Sequence, residues 1–123
     1  MSWQDVCGVD DLQPNSGICA LVDGQQIAIF YMVKDQAVYA IHNNDPIGKA
    51  NVLSRGLIGD IKGEPVVASP LFKQHFNLKT GVCAEDEQVV IPAYPVRLNN
   101  GRVEIQVMTA SQSEGQKQEK ASA

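Results

Sequence analysis

The sequence is poor in cysteine and has no pair of cysteines at a metal-binding spacing. Its 123 residues include only Cys7, Cys19 and Cys83, and no Cys-x-x-Cys pair occurs. An odd number of thiols at these separations argues against both a disulfide framework and a zinc site. We therefore expect reduced thiols that are mostly buried.

Long apolar runs and basic clusters are also missing. No hydrophobic stretch approaches the ~20 residues that a membrane helix needs, and the first residues have neither the basic nor the apolar part of a signal peptide. The sequence thus predicts no membrane association and a cytoplasmic location. The net charge of −4 comes without a concentrated Lys/Arg surface, which argues against a nucleic-acid partner.

What is present is typical of one globular domain with a polar extension. Hydrophobic residues make up 44% of the chain and charged residues 20%, and the length supports a single core. After Met108 no hydrophobe larger than alanine remains. We expect a domain over residues 1–108, with an inserted lobe at about 42–84, and a disordered tail over 109–123.

Alternating apolar residues and glycine turns predict an antiparallel β base. Asp23-Gly24 and Asn100-Gly101 each separate two apolar runs, and such pairs tolerate the left-handed backbone of a tight hairpin turn. The predicted strands cover residues 3–7, 18–22, 25–32, 36–41, 94–98 and 102–107. We predict an all-β fold, a small antiparallel sandwich or barrel with an inserted hairpin lobe.

The inserted lobe has a weaker pattern. Residues 42–63 are punctuated by Asn, Pro and Gly, which predicts loops. Residues 65–83 predict a hairpin, with a strand at 66–68, a Ser-Pro turn and an alternating run that ends at Cys83. Residues 89–91 are expected to begin the return to the main sheet.

Residues 65–83 resemble the second cluster-binding loop of Rieske domains. In those domains a strand leads into Cys-Pro-x-His and then into a segment like the Asn-Leu-Lys-Thr-Gly-Val-Cys found here. Upstream, Asn44-Asp45-Pro46-Ile47 stands where Rieske domains carry Cys-Pro-His. The resemblance places the four ligand positions at Asp45, Ile47, Ser69 and Phe72.

These four side chains lack the chemistry of the ligands they replace. A Rieske centre uses two thiolates and two imidazoles, whereas Ile and Phe have no donor atom, and Asp and Ser are hard, weak substitutes. We therefore predict no iron–sulfur cluster and no other metal or cofactor site in this chain. Apolar packing is expected to fill the space that a cluster would occupy.

The resemblance is closest to one branch of the fold, the small subunits of bacterial cytoplasmic NADH-dependent nitrite reductase. It runs from Trp3 to about Val107, and its most specific parts are Val-Leu-Ser-Arg-Gly-Leu-Ile at 52–58 and Val-Ala-Ser-Pro-Leu at 67–71. It implies an accessory, non-redox subunit that supports a large subunit reducing nitrite to ammonium. FAD, sirohaem and an iron–sulfur cluster would then belong to the large subunit, and this chain would not be catalytic alone. A Rieske-type ferredoxin and a free-standing interaction module are the alternatives.

Catalytic candidates within the chain are weak. His42 and His75 fall outside the ligand positions, so we expect surface or hydrogen-bonding roles for them. Cys83 with His75 as its base would need a lowered thiol pKa and close contact, neither of which the sequence indicates. We therefore assign no catalytic residue.

The charge of the lobe fits either a solvated face of mixed charge or a surface that docks onto an acidic partner. Between Asp45 and Cys83 five basic and three acidic side chains give +2, so the rest of a chain with net charge −4 carries −6. Arg55 and Lys73 are our candidates for partner contact. Arg55 comes first because it is flanked by a glycine and arginine suits interfaces.

Overall fold

The computed structural model describes residues 2–34, 36–71 and 73–107. Met108 and the predicted tail at 109–123 lie outside this range. Among the described residues, no helix is both long enough and apolar enough to cross a membrane. The strands are β1 Ser2–Gly8, β2 Ser16–Val22, β3 Gln25–Met32, β4 Ala37–His42, β5 Asn44–Asp45, β6 Ala50–Asn51, β7 Leu57–Ile61, β8 Glu64–Ala68, β9 His75–Asn77, β10 Ala93–Tyr94, β11 Val96–Asn99 and β12 Arg102–Val107. Two 3₁₀ turns cover Val9–Asp11 and Leu53–Arg55.

Two antiparallel sheets form the base of the molecule, as the sequence predicts. One has the order β10-β4-β3-β2 and the other the order β1-β12-β11. Both hairpin turns have positive φ at their two central residues, 51° and 78° at Asp23-Gly24 and 55° and 78° at Asn100-Gly101. The all-β antiparallel fold is therefore confirmed, and its turns use the expected left-handed backbone.

Strand β3 is buried on both faces and connects the two cores of the protein. Ile27 and Ile29 face the base core, where they pack with Val103 and Ile105 of β12. The intervening residues of β3, including Phe30, face the lobe core. Because successive side chains of a strand point to opposite faces, one strand supports the base and the lobe together. The lobe core comprises Ala28, Phe30, Met32, Ile41, Leu53, Val67, Phe76, Leu78, Cys83 and Ile91.

The lobe contains more strand than the sequence analysis predicts. Residues Leu57–Ile61, expected to be loop, form β7, which pairs with β8 in a sheet of order β7-β8-β9. The turn between them is Lys62-Gly63, with φ values of 53° and 85°. It is the same left-handed turn as in the base hairpins, so a local signal for β7 was present in the sequence.

The exit from the lobe also differs from the expectation. Val90 forms a bridge with Val82, so residues 89–91 still belong to the lobe. The return to the base begins at β10, where Ala93 and Tyr94 pair with β4. Of the three thiols, Cys83 is buried, Cys7 is partly buried and Cys19 is exposed. This corrects the expectation of mostly buried thiols.

Candidate functional site

The first loop of the lobe folds around the carboxylate of Asp45. This side chain is fully buried. Its Oδ1 accepts hydrogen bonds from the backbone N–H groups of Ile47 at 2.8 Å and Gly48 at 3.1 Å. The N–H of Lys49 donates to the Asp45 carbonyl at 2.6 Å. Asp45 therefore organises a tight turn by bonding to the backbone two and three residues on.

The second loop folds around Ser69, which is also buried. Its hydroxyl accepts a hydrogen bond from the N–H of Leu71 at 3.2 Å. Its carbonyl accepts one from the N–H of Lys73 at 3.0 Å, and its own N–H donates to the Gln74 carbonyl at 2.8 Å. Lys73 adopts a left-handed conformation with φ of 62°, which lets the chain turn sharply and enter β9.

The two loops are joined directly by their buried polar side chains. The Ser69 hydroxyl donates a short hydrogen bond to Oδ2 of Asp45. Beside this bond the Leu71 side chain lies against Gly48, so that a methyl group added at Gly48 would overlap it. We call the Asp45–Ser69 pair the latch, because it fastens one loop to the other.

The residues at the latch do not fit an iron–sulfur cluster. Both carboxylate oxygens of Asp45 already accept hydrogen bonds from protein groups, and the Ser69 hydroxyl is used both as donor and as acceptor. Ile47 is half-buried and packs against the lobe core. Phe72, the fourth ligand position, lies outside the described residues. No group of three or more His, Cys, Asp or Glu side chains placed to hold a metal occurs in the described part of the chain.

Asn43 fastens the 3₁₀ turn Leu53–Arg55 to the base. Its side chain is 2% exposed, and its Oδ1 accepts a hydrogen bond from the N–H of Ser54 at 2.8 Å. Its carbonyl accepts the N–H of Leu53 at 3.1 Å, while its own N–H donates to the Gln26 carbonyl at 3.0 Å. The turn therefore has a fixed position relative to β3.

Two glycines permit close approach of the backbone around the same turn. A side chain at Gly17 would come within 2.6 Å of the Ser54 carbonyl oxygen. One at Gly56 would come within 2.7 Å of Val67 and would overlap the Ala68 carbonyl. Only glycine allows this proximity, so strand β2 packs on one side of the turn and β8 on the other.

A groove runs between the Leu53–Arg55 turn and the loop that follows β8. It has a volume of about 380 Å³ and is lined by Arg55, Gly56, Leu57, Ala68, Ser69, Pro70, Lys73 and His75. We call it the Arg55–Lys73 groove. The structure thus brings the two predicted partner-binding candidates together, although they are 18 residues apart in the sequence, and Ser69 of the latch lies in the wall between them.

His75 and Cys83 meet at Glu85 rather than at each other. His75 Nδ1 lies 2.6 Å from Glu85 Oε2, and the His75 N–H donates to Glu85 Oε1 at 2.8 Å. Burial alone would raise the pKa of Glu85. The two hydrogen bonds with His75 lower this pKa by more than burial raises it, so the net shift is downward. The Cys83 thiol is buried and donates to Glu85 at 3.6 Å, and burial is the main cause of its raised pKa. A buried thiol with a raised pKa is a poor nucleophile.

The sequence matches one protein family over most of its length. The pattern of the Rieske-like [2Fe-2S] domain family covers residues 2–106. The chain is 48% identical over 103 residues to the nitrite reductase (NADH) small subunit of Salmonella typhimurium, covering 84% of this chain and 95% of that protein. The solved structure of the E. coli protein NirD has a TM-score of 0.80 and 44% identity, covering 88% of this chain and 98% of that one.

A further relative is a much longer protein. The nitrite reductase [NAD(P)H] large subunit of Klebsiella oxytoca is 45% identical over 101 residues, which represent 82% of this chain and 10% of that protein. A counterpart of this domain is therefore present within a single chain of that large subunit.

Proposed function

The chain belongs to the Rieske-like [2Fe-2S] domain family and, within it, to the small subunits of NADH nitrite reductase, and on that premise we propose the following role. It binds the nitrite reductase large subunit in the cytoplasm and supports the reduction of nitrite to ammonium. It carries no redox group itself, and FAD, sirohaem and an iron–sulfur cluster belong to the large subunit. Alone, the chain is not catalytic.

The observation that carries this proposal is the relative from Klebsiella oxytoca. A segment 45% identical to this chain forms 10% of a protein named as the large subunit. A domain that exists both as a separate chain and as part of a longer chain is expected to work beside the rest of that longer chain. Covalent linkage raises the effective concentration of two binding partners, so weak association of separate chains and fusion are two solutions to the same requirement.

The latch supports the non-redox part of the proposal. Thiolates and imidazoles hold a Rieske cluster, but here a carboxylate and a hydroxyl bond to each other across the two loops. The loops are thus connected by a hydrogen bond where a cluster would otherwise connect them. A scaffold of this kind offers a surface rather than an electron carrier, which favours an accessory role over the ferredoxin alternative.

Co-expression with the large subunit from the same genome tests the proposal. We expect a tagged form of this chain to co-purify with the large subunit at a fixed ratio, and NADH-dependent nitrite consumption to be higher for the complex than for the large subunit alone. The isolated chain should be colourless and free of iron. Failure to co-purify would contradict the proposed partner, and stoichiometric iron and sulfide in the isolated chain would favour an electron carrier instead.

A further inference from the structure

Arg55 differs from the other two arginines, Arg97 and Arg102, in lacking an ionic partner among the described residues, and Lys73 lacks one as well. Arg97 lies 2.5 Å from Glu104, and Arg102 lies 2.9 Å from Asp5. Within the part of the chain that the structure describes, no carboxylate pairs with Arg55 or Lys73, although both side chains are exposed. Two cations with no ionic partner among the described residues therefore line one groove.

The groove contains nothing that would neutralise these cations. None of the described residues lining it is acidic. The permanently charged cations that line it are Arg55 and Lys73, and His75, which also lines it, contacts Glu85 through Nδ1. The excess positive charge of the lobe, against the negative remainder of the chain, gives this face the sign that would attract an acidic surface.

The apolar part of the groove is exposed to an unusual degree. Leu57 is 81% exposed, the largest fraction among the exposed large hydrophobic residues of the described chain. Pro70, on the opposite wall, is exposed as well. A cation beside an exposed aliphatic side chain suits a partner that presents a carboxylate next to an apolar side chain, because arginine and large apolar groups together anchor interfaces.

The backbone that carries Arg55 is held in place before any partner binds. The turn that carries it is held by Asn43 on the base side and by the close approach of Gly56 to β8. The opposite wall is held by the latch and by the hydrogen bonds around Ser69. A preorganised backbone loses little conformational freedom on binding, which favours association.

From these observations we propose that the Arg55–Lys73 groove is the surface through which this chain docks onto the large subunit. Its occupant is a segment of the large subunit that carries carboxylates for Arg55 and Lys73 and an aliphatic side chain that packs on Leu57. This inference rests on the proposed function and adds to it the location and the chemistry of the contact.

Charge reversal in the groove, measured against a matched reversal elsewhere on the lobe, tests the inference. Affinity for the purified large subunit is measured for the wild type, Arg55→Glu, Lys73→Glu and the double variant. Lys79→Glu is the control, because Lys79 is an exposed cation of the lobe that does not line the groove. We expect each groove variant to weaken binding by about tenfold or more, the double variant further, and the control by less than about twofold. Added salt should weaken the wild type more than the double variant.

A second pair of variants tests the apolar contact. Leu57→Ser should weaken binding, whereas Leu21→Ser, at a site on β2 that is 72% exposed, should not. Unfolding midpoints equal to that of the wild type would show that each variant is folded. Wild-type affinity in the groove variants would overturn the docking surface while leaving the proposed function intact, and so would an equal loss in Lys79→Glu. Failure of the wild type to bind would overturn the proposed function itself.

Discussion

The base and the lobe of this protein are held together in different ways. In the base, five strands of six to eight residues pair along their length and pack through an apolar core, namely β1, β2, β3, β4 and β12. The lobe is built on strands of two to five residues. All three buried polar side chains in the described part of the chain, Asn43, Asp45 and Ser69, lie in the lobe or at its junction with the base.

This difference shows what joins the two loops of the lobe. Short strands supply few ladder hydrogen bonds, so the loops need other connections. Buried polar groups that are fully satisfied specify one arrangement, but each becomes costly when its partner is removed. The lobe, like the base, has an apolar core, but the connection between its two loops depends on a few buried polar side chains.

Removal of the Asp45 carboxylate should have the largest effect on stability. Asp45→Ala leaves the Ser69 hydroxyl and the N–H groups of Ile47 and Gly48 without their acceptor. We expect a loss of about 3 kcal/mol in the free energy of unfolding, measured by urea denaturation. Arg97→Ala in the base, which breaks an exposed ion pair and a contact of 4.4 Å with the Trp3 ring, should cost less than about 1 kcal/mol.

Asp45→Asn is the matched control within the lobe. Its amide oxygen can still accept the two backbone N–H groups and its amide nitrogen can donate to Ser69, so the loss should be about 1 kcal/mol. If Asp45→Ala is no more destabilising than Arg97→Ala, the stability of the lobe does not depend on the latch.

Alanine substitutions at two glycines, one just before β7 and one within it, should distinguish the effect of close packing on stability from that of backbone flexibility. Gly56→Ala brings a methyl group against Val67 and the Ala68 carbonyl, and should cost about 2 kcal/mol. Gly59→Ala, with no atom within 4 Å of the added methyl group, should be neutral or slightly stabilising. Thermal unfolding of both variants tests this, and equal shifts would mean that the approach of the Arg55 turn to β8 is not tight.

The base was largely predictable from the sequence because its signals are local. Asp23-Gly24 and Asn100-Gly101 each lie between alternating strands, so turn chemistry and strand pattern agree within a few residues. Strand β7 was missed because Gly59 interrupts its pattern and Leu57 faces solvent. The Lys62-Gly63 turn, which resembles the other two, was the local signal that could have identified it.

The sequence predicted which residues form the two loops of the site but not the hydrogen bonds that join them. A loop around Asp45-Pro46 and a turn at Ser69-Pro70 were predicted, and the chain turns at both places. The hydrogen bond between them spans 24 residues, and no local pattern specifies such a contact. Asn43 was missed for the same reason, since its polar side chain in a loop gave no indication that it would be buried against the Arg55 turn. The roles of Arg55 and Lys73 in partner binding stay a prediction.

We expect mild acid to destabilise the junction between the base and the lobe, by less than Asp45→Ala or Gly56→Ala destabilises the protein. His42 ends β4, its N–H donates to the Pro92 carbonyl at 2.9 Å, and its buried Nδ1 has no hydrogen-bond partner among the described residues. Burial lowers the pKa of His42 below its usual value of 6.5. The unfolded chain therefore binds a proton at a higher pH than the folded protein does, so stability is complete above pH 6.5 and falls as the pH drops through the lower folded pKa.

The variant His42→Gln isolates this contribution because glutamine is polar and does not titrate. We expect the free energy of unfolding of the wild type to decrease from pH 7 to pH 5 and that of His42→Gln to decrease less, whatever the two values are at pH 7. The relevant quantity is the difference in slope, since the substitution also changes packing. Parallel slopes would show that the junction does not sense protons through His42.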